Sequence, residues 1–341
     1  MGSPPLSADG RWRWDGSSWQ PVQAGAQAPA GGAPTPARRR RTWPRILLGG
    51  GALWLAAVLV TFFTRNPTLV PTVILMGSFL VPVTFVSYAF EHEASRELHV
   101  QDILVAFITG GIIGVLGASV LESTLLPHTS AGTYLWVGLI EEASKLVALW
   151  FIARSMTDYW IRDGIVLGAA VGFGFAAFES SGYAFNALFQ SGGGLSLSSL
   201  IQTEVLRGVL APAGHGLWTA ILGAALFRGA REGRLRPTWS LLGWYLVVSL
   251  LHAFWDSASG IAFLITLLGT ATSSQWSSIQ LGTTPNLSGE QVAVFDVLMW
   301  GLIVLAAVVG GLLLWTRLRL AAHQLTPVRG HATALGSTTH G

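Results

Sequence analysis

Glu141, Glu142 and Lys145 stand together in "GLIEEASKLVALWF", a run that is otherwise apolar. A charged side chain near the centre of a bilayer costs about 3 kcal/mol even on lenient insertion scales, so lipid anchoring does not account for them. Three further insertions follow: Glu179 in "FAAFES", His215 in "GHGLWT", and His252 with Asp256 in "LHAFWDS". On a helix, Glu141 and Lys145 share a face four residues apart and can pair. Glu142 points about 100° away, toward a different neighbour. His252 and Asp256 also share a face, where both can ligate a metal or the carboxylate can orient the imidazole.

The chain has no cysteine, which removes thiolate ligands, thiol nucleophiles and disulfides. Acids and imidazoles suit the activation of water. One version holds a divalent ion such as zinc on histidine and carboxylate ligands, with a remaining glutamate as general base. Another uses a Glu–His pair to polarise water directly. Both hydrolyse an amide. A single buried Glu or His is as readily a hydrogen bond between helices, and buried acid and imidazole chains also serve as proton relays in coupled transporters. The transporter alternative calls for an internal repeat, and no second EExxK or HxxxD segment occurs.

These groups need elements that carry them to one place. The chain has 341 residues, 51% hydrophobic and 11% charged, with a mean hydropathy of +0.53. That composition belongs to an all-α polytopic membrane protein. Apolar runs long enough to cross a bilayer predict about eight helices, near 46–64, 69–90, 101–121, 133–153, 164–189, 204–228, 238–270 and 293–316. The seventh is overlong and predicts a tilted helix, a break near Gly260 or a following re-entrant piece. The sequence pI near 9.7 does not indicate nucleic acid, because the basic residues fall at the ends of apolar runs. Arg38–Arg41, Arg96, Arg154, Arg162, the "RGAREGRLRP" loop, Arg317, Arg319 and Arg329 then lie on one side, with Arg65 the exception. The positive-inside rule predicts a multi-pass protein of the cell membrane with both termini cytoplasmic. Lys145 is the only lysine among 20 basic residues, an arginine bias that suggests a GC-rich, actinobacterial genome.

Rise per residue places Glu142, Glu179, His215 and His252 all about 16–22 Å in from the cytoplasmic helix ends. Four helices therefore deliver acids and imidazoles to one depth, around a polar cavity inside the bundle. Gly168 and Gly172 on the fifth helix predict a close neighbour. Glu204 and Arg207, three apart, read as an interfacial pair, with Arg207 also able to hold a substrate carbonyl. The predicted organisation is a Trp-rich module at 1–21, a Pro/Gly/Ala linker and basic segment at 22–45, a membrane domain at 46–320, and an unstructured tail at 321–341. In the module, Trp12, Trp14 and Trp19 predict a small hairpin of packed indoles, and it resembles short "WDG..W" modules found ahead of membrane segments.

"EEASK", "FAAFE", "HGLWT" and "HAFWD" occur in this order on four successive predicted helices. As a set they resemble the EExxK, FxxxE, His and HxxxD motifs of the PrsW family of intramembrane proteases, over about residues 100–260. Glu179 occupies the place where the related CAAX-processing and bacteriocin-processing proteases have a histidine. The resemblance implies an endopeptidase acting on a membrane-anchored protein substrate such as an anti-sigma factor. It implies zinc as a cofactor, although metal-free glutamate chemistry has been argued for its relatives. Residue by residue it implies Glu141 or Glu142 as the base, and His215 and His252 as metal ligands or oxyanion donors. Glu179 and Asp256 would complete the coordination or fix the imidazoles, and Lys145 and Arg207 would be structural or substrate-orienting.

Overall fold

The computed structural model describes residues 7, 12–14, 16–21, 41–93, 98–128, 132–189, 195–324 and 328–329. The linker at 22–40 and the tail residues His331 and His340 lie outside them. The chain forms two compact units, residues 1–40 and 41–341. In the first, β1 (Trp12–Trp14) and β2 (Trp19–Pro21) pair antiparallel, with Trp14 opposite Trp19. Those two indoles meet edge to face at 5.5 Å.

The second unit is a helical bundle. Its elements are α1 (Trp43–Thr64), α2 (Val70–His92), α3 (Val100–Val105), α4 (Gly111–Leu125), α5 (Thr133–Ala153), α6 (Ile161–Ala187), α7 (Leu197–Leu210), α8 (His215–Arg228), α9 (Trp239–Thr270), α10 (Ser273–Gln280) and α11 (Gly289–Ala322). A five-residue π-turn, Ala106–Gly110, joins α3 to α4 as one continuous span. Among the described residues, seven segments are long and apolar enough to cross a membrane, and together they make a multi-pass membrane protein. The helix α5 matches them in length but carries Glu141, Glu142 and Lys145.

Three expectations change. The overlong helix α9 runs unbroken through Gly260, and α10 is a separate short helix beyond its end, started by the Thr272 capping box. The predicted sixth span is instead interrupted: a 3-10 turn at Ala211–Ala213 and Gly214 separate α7 from α8. Pro212 explains the break, since it lacks an N–H and clashes with the preceding turn. Irregular backbone at such depth is tolerated where it lines a cavity. The third concerns the tail, which starts inside α11. Beyond that helix, β4 (Val328–Arg329) pairs with β3 (Asp158–Tyr159), and Gln324 accepts from the Ile161 N–H at 2.7 Å.

Between membrane helices no hydrophobic difference drives association, so close approach of small residues matters most. The α6–α8 seam shows this. A Cβ on Gly168 would fall on the Thr219 carbonyl, one on Gly172 on the His215 carbonyl, and one on Gly223 on the Gly164 carbonyl. These contacts bear out the predicted close neighbour and set the His215 backbone against Gly172, two turns before Glu179 on the same face of α6. On α5, Gly138 lies against the Ser249 carbonyl of α9, and the Tyr245 hydroxyl donates to the Leu139 carbonyl at 2.8 Å. That second seam brings Glu142 to His252.

Candidate active site

The four residues at the predicted common depth, Glu142, Glu179, His215 and His252, meet in one network with Glu141, Lys145 and Asp256. The Lys145 ammonium, fully buried, donates to Glu142 Oε1 at 2.7 Å and Glu141 Oε2 at 3.3 Å, and lies 2.8 Å from His215 Nδ1. Glu142, also fully buried, reaches His252 Nδ1 at 3.0 Å through the same oxygen. Thus Glu142 pairs with Lys145 as well as facing the neighbouring helix, which the angular reading alone did not anticipate. His252 Nε2 lies 3.3 Å from Asp256 Oδ2, the helical pair expected from their spacing. Glu179 Oε2 lies 3.1 Å from His215 Nε2 and 2.5 Å from Arg207 Nη2.

Aromatic groups hold the imidazoles in place. His215 and His252 lie 5.0 Å apart, close to perpendicular, and Trp218 lies over His252 at 4.5 Å. Phe175 packs against His215 at 5.1 Å and beneath the Lys145 ammonium at 4.2 Å. The FxxxE stripe therefore supplies a wall and an acid from one helix face.

Arg207 and Glu204 do not pair with each other. The α7 helix runs between α6 on one side and α1 with α2 on the other, and each residue finds its partner on a different helix. Arg207 donates to Glu179 and to Ser180 Oγ at 2.7 Å, with its guanidinium over Tyr183. Glu204, buried, accepts from Trp54 Nε1 at 3.0 Å and lies where a side chain on Gly77 would be.

A cavity of about 480 Å³ borders the network. Glu141, Glu179, Asp256, His215 and Arg207 line it, whereas Glu142, Lys145 and His252 lie behind this surface. The two glutamates that the sequence leaves equivalent are thus distinct: Glu141 meets the cavity, and Glu142 braces Lys145 and His252. Glu122 also lines the cavity, with its buried Oε1 unpartnered among the described residues. Sequence reasoning missed it by assigning it to a loop; its place one turn before the end of an apolar run was the available signal. The backbone N–H groups of His215, Gly216 and Leu217 precede the first helical bond of α8, from Trp218 N–H to the Gly214 carbonyl. They form the polar start of a half-helix beside the cavity.

Glu141, His215 and His252 each offer one ligand atom within 4.8 Å of the others, a set that can hold a metal ion. Two imidazoles and one carboxylate match the donors of a catalytic zinc site, which leaves a position for water. Lys145 is the neighbour that would have to release His215 Nδ1. Of the sequence-derived metal set, His215 and His252 belong to this triple, while Glu179 touches the outer nitrogen of His215 and Asp256 shares His252 Nε2, the nitrogen that faces Glu141.

The sequence profile described as "PrsW family intramembrane metalloprotease" matches residues 99–277, which contain every residue of the network. The chain is similar to "Protease PrsW" of Halalkalibacterium halodurans, at 30% identity over 125 residues, covering 36% of this chain and 52% of that protein. It is also similar to "Protease PrsW" of Shouchella clausii, at 26% identity over 175 residues, covering 50% and 75%. The chain thus spans about half the length of the first relative and three quarters of the second. No solved structure matches it.

Proposed function

This chain belongs to the PrsW family of intramembrane metalloproteases, and we propose that it hydrolyses a peptide bond of a membrane-anchored protein inside the cavity bordered by Glu141. The observation that carries this reading is the convergence of Glu141, His215 and His252 beside a cavity of about 480 Å³ with several charged residues in its lining. The transporter alternative has no comparable support.

In this reading Glu141 is the general base, since it alone of the adjacent pair reaches the cavity. Lys145 holds Glu141 Oε2 at 3.3 Å, and a proton taken from water can pass to the leaving amine within the same pocket. Lys145 and Glu142 are positioning residues. Glu142 keeps His252 in one orientation through Nδ1, and Glu179 does the same for His215 through Nε2. The N–H groups at the start of α8, which precede its first helical bond, offer donors with Arg207 for the oxygen of the tetrahedral intermediate. Were a metal such as zinc held by Glu141, His215 and His252, it would polarise the carbonyl and acidify water, and Glu141 would then serve as its ligand in place of the base. Glu122 and Tyr134, near the ends of α4 and α5, place the cavity mouth in the half of the bundle opposite the arginine-bearing loops. With those loops cytoplasmic, in the cell membrane, substrate enters from the extracytoplasmic side. An anti-sigma factor is one substrate that satisfies this geometry.

The test is cleavage of single-span substrates by the purified chain, with metal analysis on the same preparation. Glu141→Gln keeps side-chain volume and much of the hydrogen bonding, and His252→Asn removes the imidazole while leaving a polar amide in its place. Wild-type cleavage by both folded variants would sink the assignment.

A further inference from the structure

A second buried charge lies far along the chain from this network and lacks its compensation. Arg317 of α11 is only 9% exposed, and its Nε finds no hydrogen-bond partner among the described residues. Its guanidinium lies 3.7 Å over the Trp244 ring of α9. Another cation, Arg228 at the end of α8, acts on it electrostatically, and no acid acting on it is found among the described residues. Lys145, by contrast, has two carboxylates within 3.3 Å.

A buried, unpaired guanidinium beside a like charge is costly unless an anion completes it. Its depth limits what that anion is. Arg317 precedes the end of α11 by five residues and Trp244 follows the start of α9 by five, each roughly 8 Å from the helix terminus. Exposed Trp239 marks the interface at that end. A phosphate group of a lipid lies at this level, with its acyl chains along the apolar flanks of α9 and α11.

We propose that Arg317 and Arg228, walled by Trp244, form a binding site for a phosphate group, filled by an anionic phospholipid of the leaflet at the arginine-bearing end of the bundle. Arginine suits this ligand because its N–H fork matches two phosphate oxygens, and the indole covers the face that would otherwise need water. The exposed Arg319, which lies over Trp315 on the same helix, lacks the burial and the second cation and serves as a control.

The experiment titrates the purified full chain in neutral detergent with phosphatidylglycerol, phosphatidylcholine or inorganic phosphate. It reads the unfolding midpoint and the lipid retained in native mass spectrometry. Phosphatidylglycerol should raise the midpoint and stay bound, with little response to the other two. Arg317→Gln should raise the concentration needed at least about tenfold. Arg228→Gln should weaken it less, and Arg319→Gln should match wild type. If Arg317→Gln does not fold, exposed Arg228→Gln reads the same site. Equal responses in wild type and both site variants overturn the site. A full response to inorganic phosphate, with nothing added by lipid, or equal retention of phosphatidylcholine, overturns the anionic lipid as its occupant.

Discussion

The helix α6 and the helices α1 and α11 are all apolar enough to cross a membrane, yet 89% of the spanning window of α6 is buried inside the bundle, against 11% for each of the other two. Mean hydropathy runs the opposite way, 1.5 for α6 against 2.2 and 2.6 for α1 and α11. The most lipid-like segments face lipid, and the segment richest in Gly, Ala and Ser is enclosed. In a bilayer, burial of a helix follows from small residues that let backbones touch, because lipid already satisfies large apolar side chains. Function follows the same division. All the acids and imidazoles of the network lie on α5, α6, α8 and α9, held by the Gly168–Thr219, Gly172–His215 and Gly138–Ser249 contacts.

The sharpest way to break this comparison is to remove a charge from the centre. Glu141→Gln and His252→Asn should insert and purify as wild type while cleavage falls at least about a hundredfold. Glu142→Gln should be comparably damaging through the loss of two contacts, to Lys145 and His252. Breaking one partner of a buried ion pair commonly costs about 3–5 kcal/mol, so its unfolding midpoint should fall as well. Single-turnover cleavage with a parallel melt separates the two behaviours. A Glu141→Gln protein that lost stability as much as activity would make Glu141 a structural acid.

Next comes the seam itself. Gly172→Leu places a side chain against the His215 carbonyl, where no flexible neighbour can yield. Forcing methylenes into a packed interior costs about 1–3 kcal/mol, and His215 must move with α8. Cleavage should fall at least about tenfold, since an ångström of misplacement is costly in rate, with a lowered melting midpoint. Activity near wild type would show that the seam does not position His215.

How much of this was legible in sequence divides along the same line. The span pattern, the depth of the polar groups, the glycine seam and the His252–Asp256 pair could all be read from spacing, because a helix fixes which residues share a face and a level. What spacing cannot give is the partner across helices. Glu204 and Arg207 looked like each other's partner, yet each turned to a different neighbour, and Glu142 reached both Lys145 and His252. The helix break at Pro212 was readable from that proline, but the apolar flanks of 204–228 masked it. Glu122 was hidden because its partner is an open cavity.

At the cavity wall the expected effects are smaller. Arg207→Gln and Glu122→Gln change groups that line the cavity without belonging to the Glu141–His215–His252 triple. Arg207→Gln also releases Glu179 from its cation, so it should cost more, about tenfold in kcat/KM, against a few-fold for Glu122→Gln, expressed mainly in KM. Equal losses in kcat for both would place Glu122 in the chemistry.

The smallest effects test the periphery. Leu312 on α11 is 58% exposed and Leu222 on α8 is fully buried. Both are leucines on membrane helices, so truncation to alanine removes the same atoms. At Leu222 the surroundings are protein, which relaxes only partly, and the cavity left behind should cost about 2–5 kcal/mol. At Leu312 an acyl chain can follow the retreating surface, so neither a void nor exposed apolar area results. Leu312→Ala should therefore leave the unfolding midpoint and cleavage within about twofold of wild type, while Leu222→Ala lowers the midpoint by several degrees, as a loss of that size does in a domain. Equal destabilisation by the two would mean that α11 is covered by protein at that position. The low burial of α11 would then mark an interface with a second chain.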